Sequence, residues 1–274
     1  MVTADTARRL FELTEPIALV TYMEAEPMEA VMALGLTDPW DAYFAGRAAP
    51  LGRQVSAQVV DALFYNFADG EVARHIPSVW DQVSPHAANL ARQAGSVAAL
   101  RRLLSDRLDS PSVVRAGDTM IDAAMTASHE GRALFAAVRT LPVPVEPDAR
   151  LWFGANLLRE HRGDGHVAAL VTLGVSGTES HVLHTLADGV PAEKFGRLWH
   201  LPKERLDEVV GAMRERGLVG DDGWLTPDGN ELKKRLEDLT DEAATAAYRS
   251  LLADQLDHLI DDLTPLAAAI PTHE

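Results

Sequence analysis

Apolar residues recur at i, i+3 and i+4 through most of the chain, and strand-like alternation is nearly absent before Gly217. Helical spacing covers Ala7–Leu13, which leads into Pro16, and then Ile17–Tyr22 and Met28–Leu34, where Gly35 supplies a C-terminal stop. Ser56 suits the N-cap of a helix over Ala57–Phe67 that Asp69-Gly70 closes. Pro77 and Pro85 bracket a short segment around Trp80. Beyond it lie an alanine-rich helix over Ala87–Leu104, a turn at Asp109–Ser112 and a helix from about Gly117 to Arg139.

Three prolines within Leu141–Pro147 force an extended path. This segment is the expected boundary between an N-terminal, helix-turn-helix-like half, 1–140, and a C-terminal half, 148–274. The second half opens with a helix over Ala149–His161, a turn at Arg162–Gly165, and helices over His166–Leu173 and Thr178–Ala187. Residues 195–240 read as a winged helix. Leu201–Gly217 carries Leu206, Val209, Val210 and Met213 on one face. Leu218-Val219, the Asp221-Asp222-Gly223 turn and Trp224–Thr226 form a small β-wing near 217–226. A further helix runs from Asp228 through Leu232, Leu236 and Leu239, and Trp199 and Trp224 are expected to brace the unit. The fold class is all-α, with tandem winged-helix-like halves, and the terminal helices offer a face for a homodimer.

A repeat supports the tandem reading. Leu63–Ala73 aligns with Leu158–Ala168 at an offset of 95, sharing Leu63/Leu158, Asp69/Asp164, Gly70/Gly165, Val72/Val167 and Ala73/Ala168. In both copies a helix is expected to end at the Asp-Gly and another to begin at once.

Charge narrows the function. The 274 residues include 41 acidic and 25 basic side chains, a net charge of −16, and no cysteine. Thiol nucleophiles, disulfides, zinc–cysteine sites and iron–sulfur clusters are excluded. Nucleic acid and anionic membrane are disfavoured partners. The helix over 203–216 sets Lys203, Arg205, Arg214 and Arg216 against Glu204, Asp207, Glu208 and Glu215, and the wing tip carries Asp221 and Asp222. Residues 237–274 hold nine acidic side chains and one arginine, half of the whole surplus. The N-terminus shows no basic leader with an apolar stretch, so a cytoplasmic protein is expected.

The densest polar cluster is Arg159-Glu-His-Arg-Gly-Asp-Gly-His166. Its two glycines are expected to turn the chain and bring Glu160, His161, Asp164 and His166 together for acid–base chemistry, with Arg159 and Arg162 as anion clamps. Asp164 would cap a helix starting at His166. Tyr43, Arg47, Tyr65 and Asn66 offer polar anchors on an aromatic wall for a ligand. His181 and His184, with Glu179, His161 and His166, could supply metal ligands, but no His-Glu-x-x-His spacing is present and no metal is assigned. Phosphate loops, nucleophile elbows and dinucleotide fingerprints are absent, so no cofactor is expected.

The strings Tyr43–Pro50, Phe64–Phe67, Leu157–Ala169 and Arg216–Val219 resemble those of actinobacterial SalK-like helix-turn-helix proteins, over almost the full chain. The resemblance implies an all-α fold with winged-helix elements of the MarR kind and no established activity. It marks Arg159, Glu160, His161, Arg162, Asp164 and His166. His181 falls where this family would place an apolar residue, and the acidic wing departs from the basic wing of a DNA-binding MarR protein. The expected function is small-molecule binding, with cofactor-independent acid–base catalysis in specialised metabolism on a repurposed winged-helix scaffold. A MarR-like ligand-responsive regulator and a non-catalytic accessory protein are the alternatives.

Overall fold

The computed structural model describes residues 2–194 and 201–271, so Trp199 and the start of the expected winged helix lie outside it. Among the described residues are thirteen α-helices. They are α1 (Ala4–Met23), α2 (Ala25–Met32), α3 (Pro39–Ala48), α4 (Ala57–Phe64), α5 (Glu71–His75), α6 (Pro85–Leu104) and α7 (Pro111–Thr126). Then come α8 (Ala133–Val138), α9 (Pro147–Leu173), α10 (Gly177–Ala187), α11 (Lys203–Glu215), α12 (Pro227–Ala244) and α13 (Ala253–Ala267). None is long and apolar enough to cross a membrane. The all-α class stands.

Local chemistry sets many of the ends. Ser56, Ser84 and Ser176 accept hydrogen bonds from the first turns of α4, α6 and α10, and Glu179 completes a capping box on α10. Pro16 sits inside α1 without ending it, because α1 buries Leu10, Leu13 and Ile17 on both sides of the proline.

The principal correction concerns α9. The turn expected at Arg162–Gly165 does not exist, and one helix of 27 residues runs through it. Two interior glycines cost a helix about 1 kcal/mol each relative to alanine. Burying Leu151, Trp152, Phe153, Leu157 and Leu158 returns roughly 1.5–3 kcal/mol apiece, so packing wins. Gly165 provides space rather than a bend: a Cβ there would lie 2.7 Å from Nη1 of Arg132. The repeat therefore fails as a structural unit. Its first copy is the loop between α4 and α5, where Gly70 has φ +79, and its second lies mid-helix. The helix expected over Gly117–Arg139 is also divided, into α7 and α8, with Gly131 at φ +70 between them.

The largest core gathers Leu10 and Ile17 of α1, Leu100 of α6, Met120 of α7, Phe135 of α8, Trp152 and Phe153 of α9, and Leu259 and Leu263 of α13. It draws on both sides of the proline segment 141–147. The apolar face of α13 is buried within the chain, against α1 and α7. A second core lies among α2 to α6, around Phe44, Phe64 and Trp80. A third joins Ala169 and Leu170 of α9 to Val182 and Leu183 of α10, Leu206 and Met213 of α11, and Leu236 of α12. Of these, α11 and most of α12 fall in the segment expected to form the winged helix. The β-wing contracts to one antiparallel bridge, Val219 with Leu225, since the arms on either side of Gly220–Gly223 are too short for a ladder. Trp224 is 40% exposed, and its backbone carbonyl accepts from Gly220 N–H (2.8 Å) across the turn.

The fit of α2 against α6 is testable at one atom. A Cβ on Gly95 would lie 2.5 Å from the backbone of Glu26 and Pro27. Gly95→Ala is expected to lose about 1–3 kcal/mol in denaturant unfolding, despite alanine's better helix propensity. An unchanged or raised midpoint would show that the two helices are not so closely seated.

Candidate functional site

Because α9 is a helix, the residues of Arg159–His166 fan around it at about 100° each instead of converging. They fall into three settings. Arg159 and Glu160 face α1. The Arg159 guanidinium bonds Glu15 (3.2 Å) and Glu160 (3.4 Å) and lies 5.1 Å from the Tyr22 ring centre. Glu160 is 3% exposed.

His161 and Asp164 face α8. The His161 ring meets Phe135 edge-on at 4.9 Å, and neither of its nitrogens has a hydrogen-bond partner. Burial, reinforced by the charges of Arg132 and Arg139, pulls its pKa down to about 3. Asp164 is a cap, but not of a helix at His166. Its Oδ2 accepts from the backbone N–H of Phe135 (2.9 Å), at the N-terminus of α8. Burial pushes this carboxyl up to about 6, with Glu160 adding, against the opposing pull of the Phe135 and Leu134 N–H groups and Arg132. Arg132 donates to the carbonyls of His161 and Ala243.

Arg162 and His166 face α12. Arg162 bonds Glu237 (3.2 Å) and Asp241 (3.0 Å), which Arg8 of α1 also grips, and its guanidinium stacks 3.9 Å from the Phe11 centroid. Burial raises the Glu237 pKa, but Lys233, Arg8 and Arg162 outweigh it and hold the carboxyl well below the usual range. His166 pairs through Nδ1 with the Thr240 hydroxyl (3.0 Å). Burial, opposed by Glu237 and aided by Arg162 and Lys233, pulls it down to about 4. A void of about 10 Å³ beside His161 and Arg162, room for about one water, is the space this side offers.

The cavity lies on the α1 side. A half-open cavity of about 480 Å³ lies between α1, α2, α3 and α6, with Met28, Val31 and Trp40 as apolar wall and Tyr22, Tyr43 and Arg92 as polar wall. Arg92 donates from Nη2 to the Tyr22 hydroxyl (2.9 Å) and to Asn156 (3.1 Å), and lies 5.4 Å from the Trp152 ring centre. A Cβ on Gly46 would press to 3.2 Å on its Cδ, so this glycine in α3 clears the arginine's path. Tyr43 accepts from Arg47 Nη1 at 2.8 Å, and the Tyr22 and Tyr43 ring centres are 5.9 Å apart. Arg47 stacks 4.3 Å from the Phe64 centroid and feels the Glu160 carboxylate. A more open groove of about 720 Å³ beside Pro111 and Pro147 lies apart from this chemistry, and its Arg115 is neutralised by Asp262.

The expected candidates Tyr43, Arg47, Arg159 and Glu160, read from two separate strings, thus meet around Tyr22. Tyr65 and Asn66 do not join them. The Tyr65 hydroxyl donates to the Val175 carbonyl (2.7 Å), and the Asn66 carbonyl meets Nε2 of His181 (2.8 Å), at the seam with α10. His161, His166 and His181 have separate surroundings, and His184 faces Asp188 at 3.4 Å. Among the described residues, the group of metal-type side chains that does come together is Asp38, Asp41 and His75. Sequence reasoning missed Tyr22, Trp40, Arg92, Asn156 and Glu15. The signal for Arg92 was present: it falls on the same helical stripe as Ala88, Gly95, Ser96 and Ala99, the face that α6 buries.

A family model described as a helix-turn-helix family matches residues 7–274. No curated protein and no solved structure matches the chain.

The buried histidines have a pH signature. A histidine held neutral in the fold stabilises it above its unfolded pKa of 6.5, and this is lost as pH falls toward the folded value. His161→Leu removes a ring whose nitrogens are unsatisfied, so it is expected to be at least as stable as wild type at pH 7. Its advantage should grow by up to about 1.4 kcal/mol per pH unit between about 6 and 4, read from unfolding midpoints. Parallel stability curves, or a variant weaker at pH 7, would contradict this placement of His161.

Proposed function

The chain belongs to a helix-turn-helix family, and from that premise we propose that it is a small-molecule-binding protein whose ligand sits in the cavity of α1, α2, α3 and α6. One observation carries this reading: about 480 Å³ of space with an apolar and aromatic wall and a few convergent polar groups, Tyr22, Tyr43 and Arg92. The binding role expected of Tyr43 is kept. Arg47, Arg159 and Glu160 support the polar wall from behind, and Arg162 belongs to the clasp between α1, α9 and α12.

Catalysis by His161, His166 and Asp164 receives no support from their positions, since none lines the cavity. Within the SalK-like and MarR-like resemblance, the reading is a scaffold turned to ligand binding in specialised metabolism. The MarR-like regulator is favoured by the winged-helix order of α10, α11, the bridge and α12. It is opposed by the charges of α11. Lys203 pairs with Asp207 (2.6 Å), Arg205 with Glu208 (2.8 Å) and Arg216 with Glu179 (2.6 Å), leaving little cationic surface for phosphates.

A thermal-shift screen of small molecules tests the binding reading. A ligand at a hundred times its Kd should stabilise the fold by about 2.7 kcal/mol. Met28→Trp fills the cavity from a partly buried position and is expected to abolish that shift while leaving the unliganded midpoint close to wild type. Hits indifferent to Met28→Trp would place the ligand elsewhere. Duplex DNA carrying the chain's own upstream region should not be retarded even at low salt; salt-dependent retardation would favour the regulator.

A further inference from the structure

Resting on the cavity reading above, we propose that the ligand carries a carboxylate, that Arg92 is its counter-ion and that the Tyr22 hydroxyl donates to the same group. Arg92 is 4% exposed, yet its hydrogen-bond partners among the described residues are neutral: the Tyr22 hydroxyl and the Asn156 amide oxygen. Arg47 and Arg132 are likewise held by neutral oxygens, the Tyr43 hydroxyl and two backbone carbonyls, but neither lines the cavity. Other cations around α1 and α9 have carboxylates. Arg159 has Glu15 and Glu160, and Arg162 and Arg8 share Glu237 and Asp241. In a chain of net charge −16, a buried guanidinium without a carboxylate stands against both the composition and the cost of burying an unpaired charge. It also lines the cavity, which puts the missing anion in the ligand.

The hydrogen-bond directions identify the group. Both hydrogens of Nη2 are taken by the protein, which leaves the N–H groups of Nη1 and Nε without a hydrogen-bond partner among the described residues. Tyr22 accepts from Arg92, so its own O–H needs another acceptor, and none is supplied by the described residues. One permanent cation and the tyrosine hydroxyls of Tyr22 and Tyr43 suit a monoanionic carboxylate. A phosphate ester, with nearly two charges and three strong acceptor oxygens, would need more donors than this wall holds. Met23, Met28, Val31 and Trp40 complete the site, so the carboxylate is borne on an apolar or aromatic body.

The test uses the full chain and matched pairs: 2-naphthoate and 2-naphthamide, indole-3-acetate and its amide, decanoate and decanamide, each titrated by calorimetry and tryptophan fluorescence at neutral pH. Acids are expected to bind about tenfold or more tightly than their amides, a comparison that needs no variant. Arg92→Met should remove the preference, Arg92→Lys should keep part of it, and Tyr22→Phe should weaken acids several-fold while leaving amides unchanged. Amides binding as well as acids, in a manner that Met28→Trp abolishes, would overturn the carboxylate and leave the cavity reading intact. If no compound of either kind responds to Met28→Trp, the cavity reading falls, and this inference with it.

Discussion

A helix buried along nearly all its length cannot leave a polar side chain to water, and α9 carries Asn156, Arg159, Glu160, His161, Arg162 and Asp164. Each must be met by another element or remain at a cost. Much of the architecture answers to that condition. α1 brings Glu15 to Arg159, α6 brings Arg92 to Asn156, α8 brings its N-terminal amides to Asp164, and α12 brings Glu237 and Asp241 to Arg162. His161 is the exception: it is kept neutral by burial and packed on Phe135 as though it were an apolar ring.

The same condition gives the negative charge a structural meaning. Part of the acidic surplus after residue 236 lies inside the molecule rather than on a repelling tail. Glu237 and Asp241 clasp α1 and α9 through Arg8 and Arg162, and Asp262 holds Arg115 of α7. The pairs on α11 are exposed and screened by solvent, and they set Lys203 and Arg205 against carboxylates of the same helix. Arg92 is a buried cation with neutral partners, and it lies where the molecule has room for a ligand.

All-α character, the N-cap role of Ser56 and the extended proline segment were legible in the amino-acid string. They depend on local periodicity and on residues whose preferences act over a few positions. The error at Arg162–Gly165 had a physical source. Two glycines and six polar groups in eight residues favour a turn in isolation, and that preference is worth only a few kcal/mol. Leu151–Leu158 on one side and Ala169-Leu170 on the other bury enough apolar surface to carry the helix across.

Local pattern thus settled the helical class, but not every helix end, and which residue types could do chemistry. It could not settle which of them meet. Tyr22, Tyr43, Arg92 and Glu160 come from four helices, and their meeting depends on how α1, α3 and α6 pack beside α9, which no spacing within one segment encodes. The same holds for Gly165, expected in a turn, and for Gly46, which the packed molecule uses as room for the guanidinium of Arg132 and the side chain of Arg92 respectively. Long-range packing energy, summed over many buried side chains, overrides the small local preferences that a sequence displays.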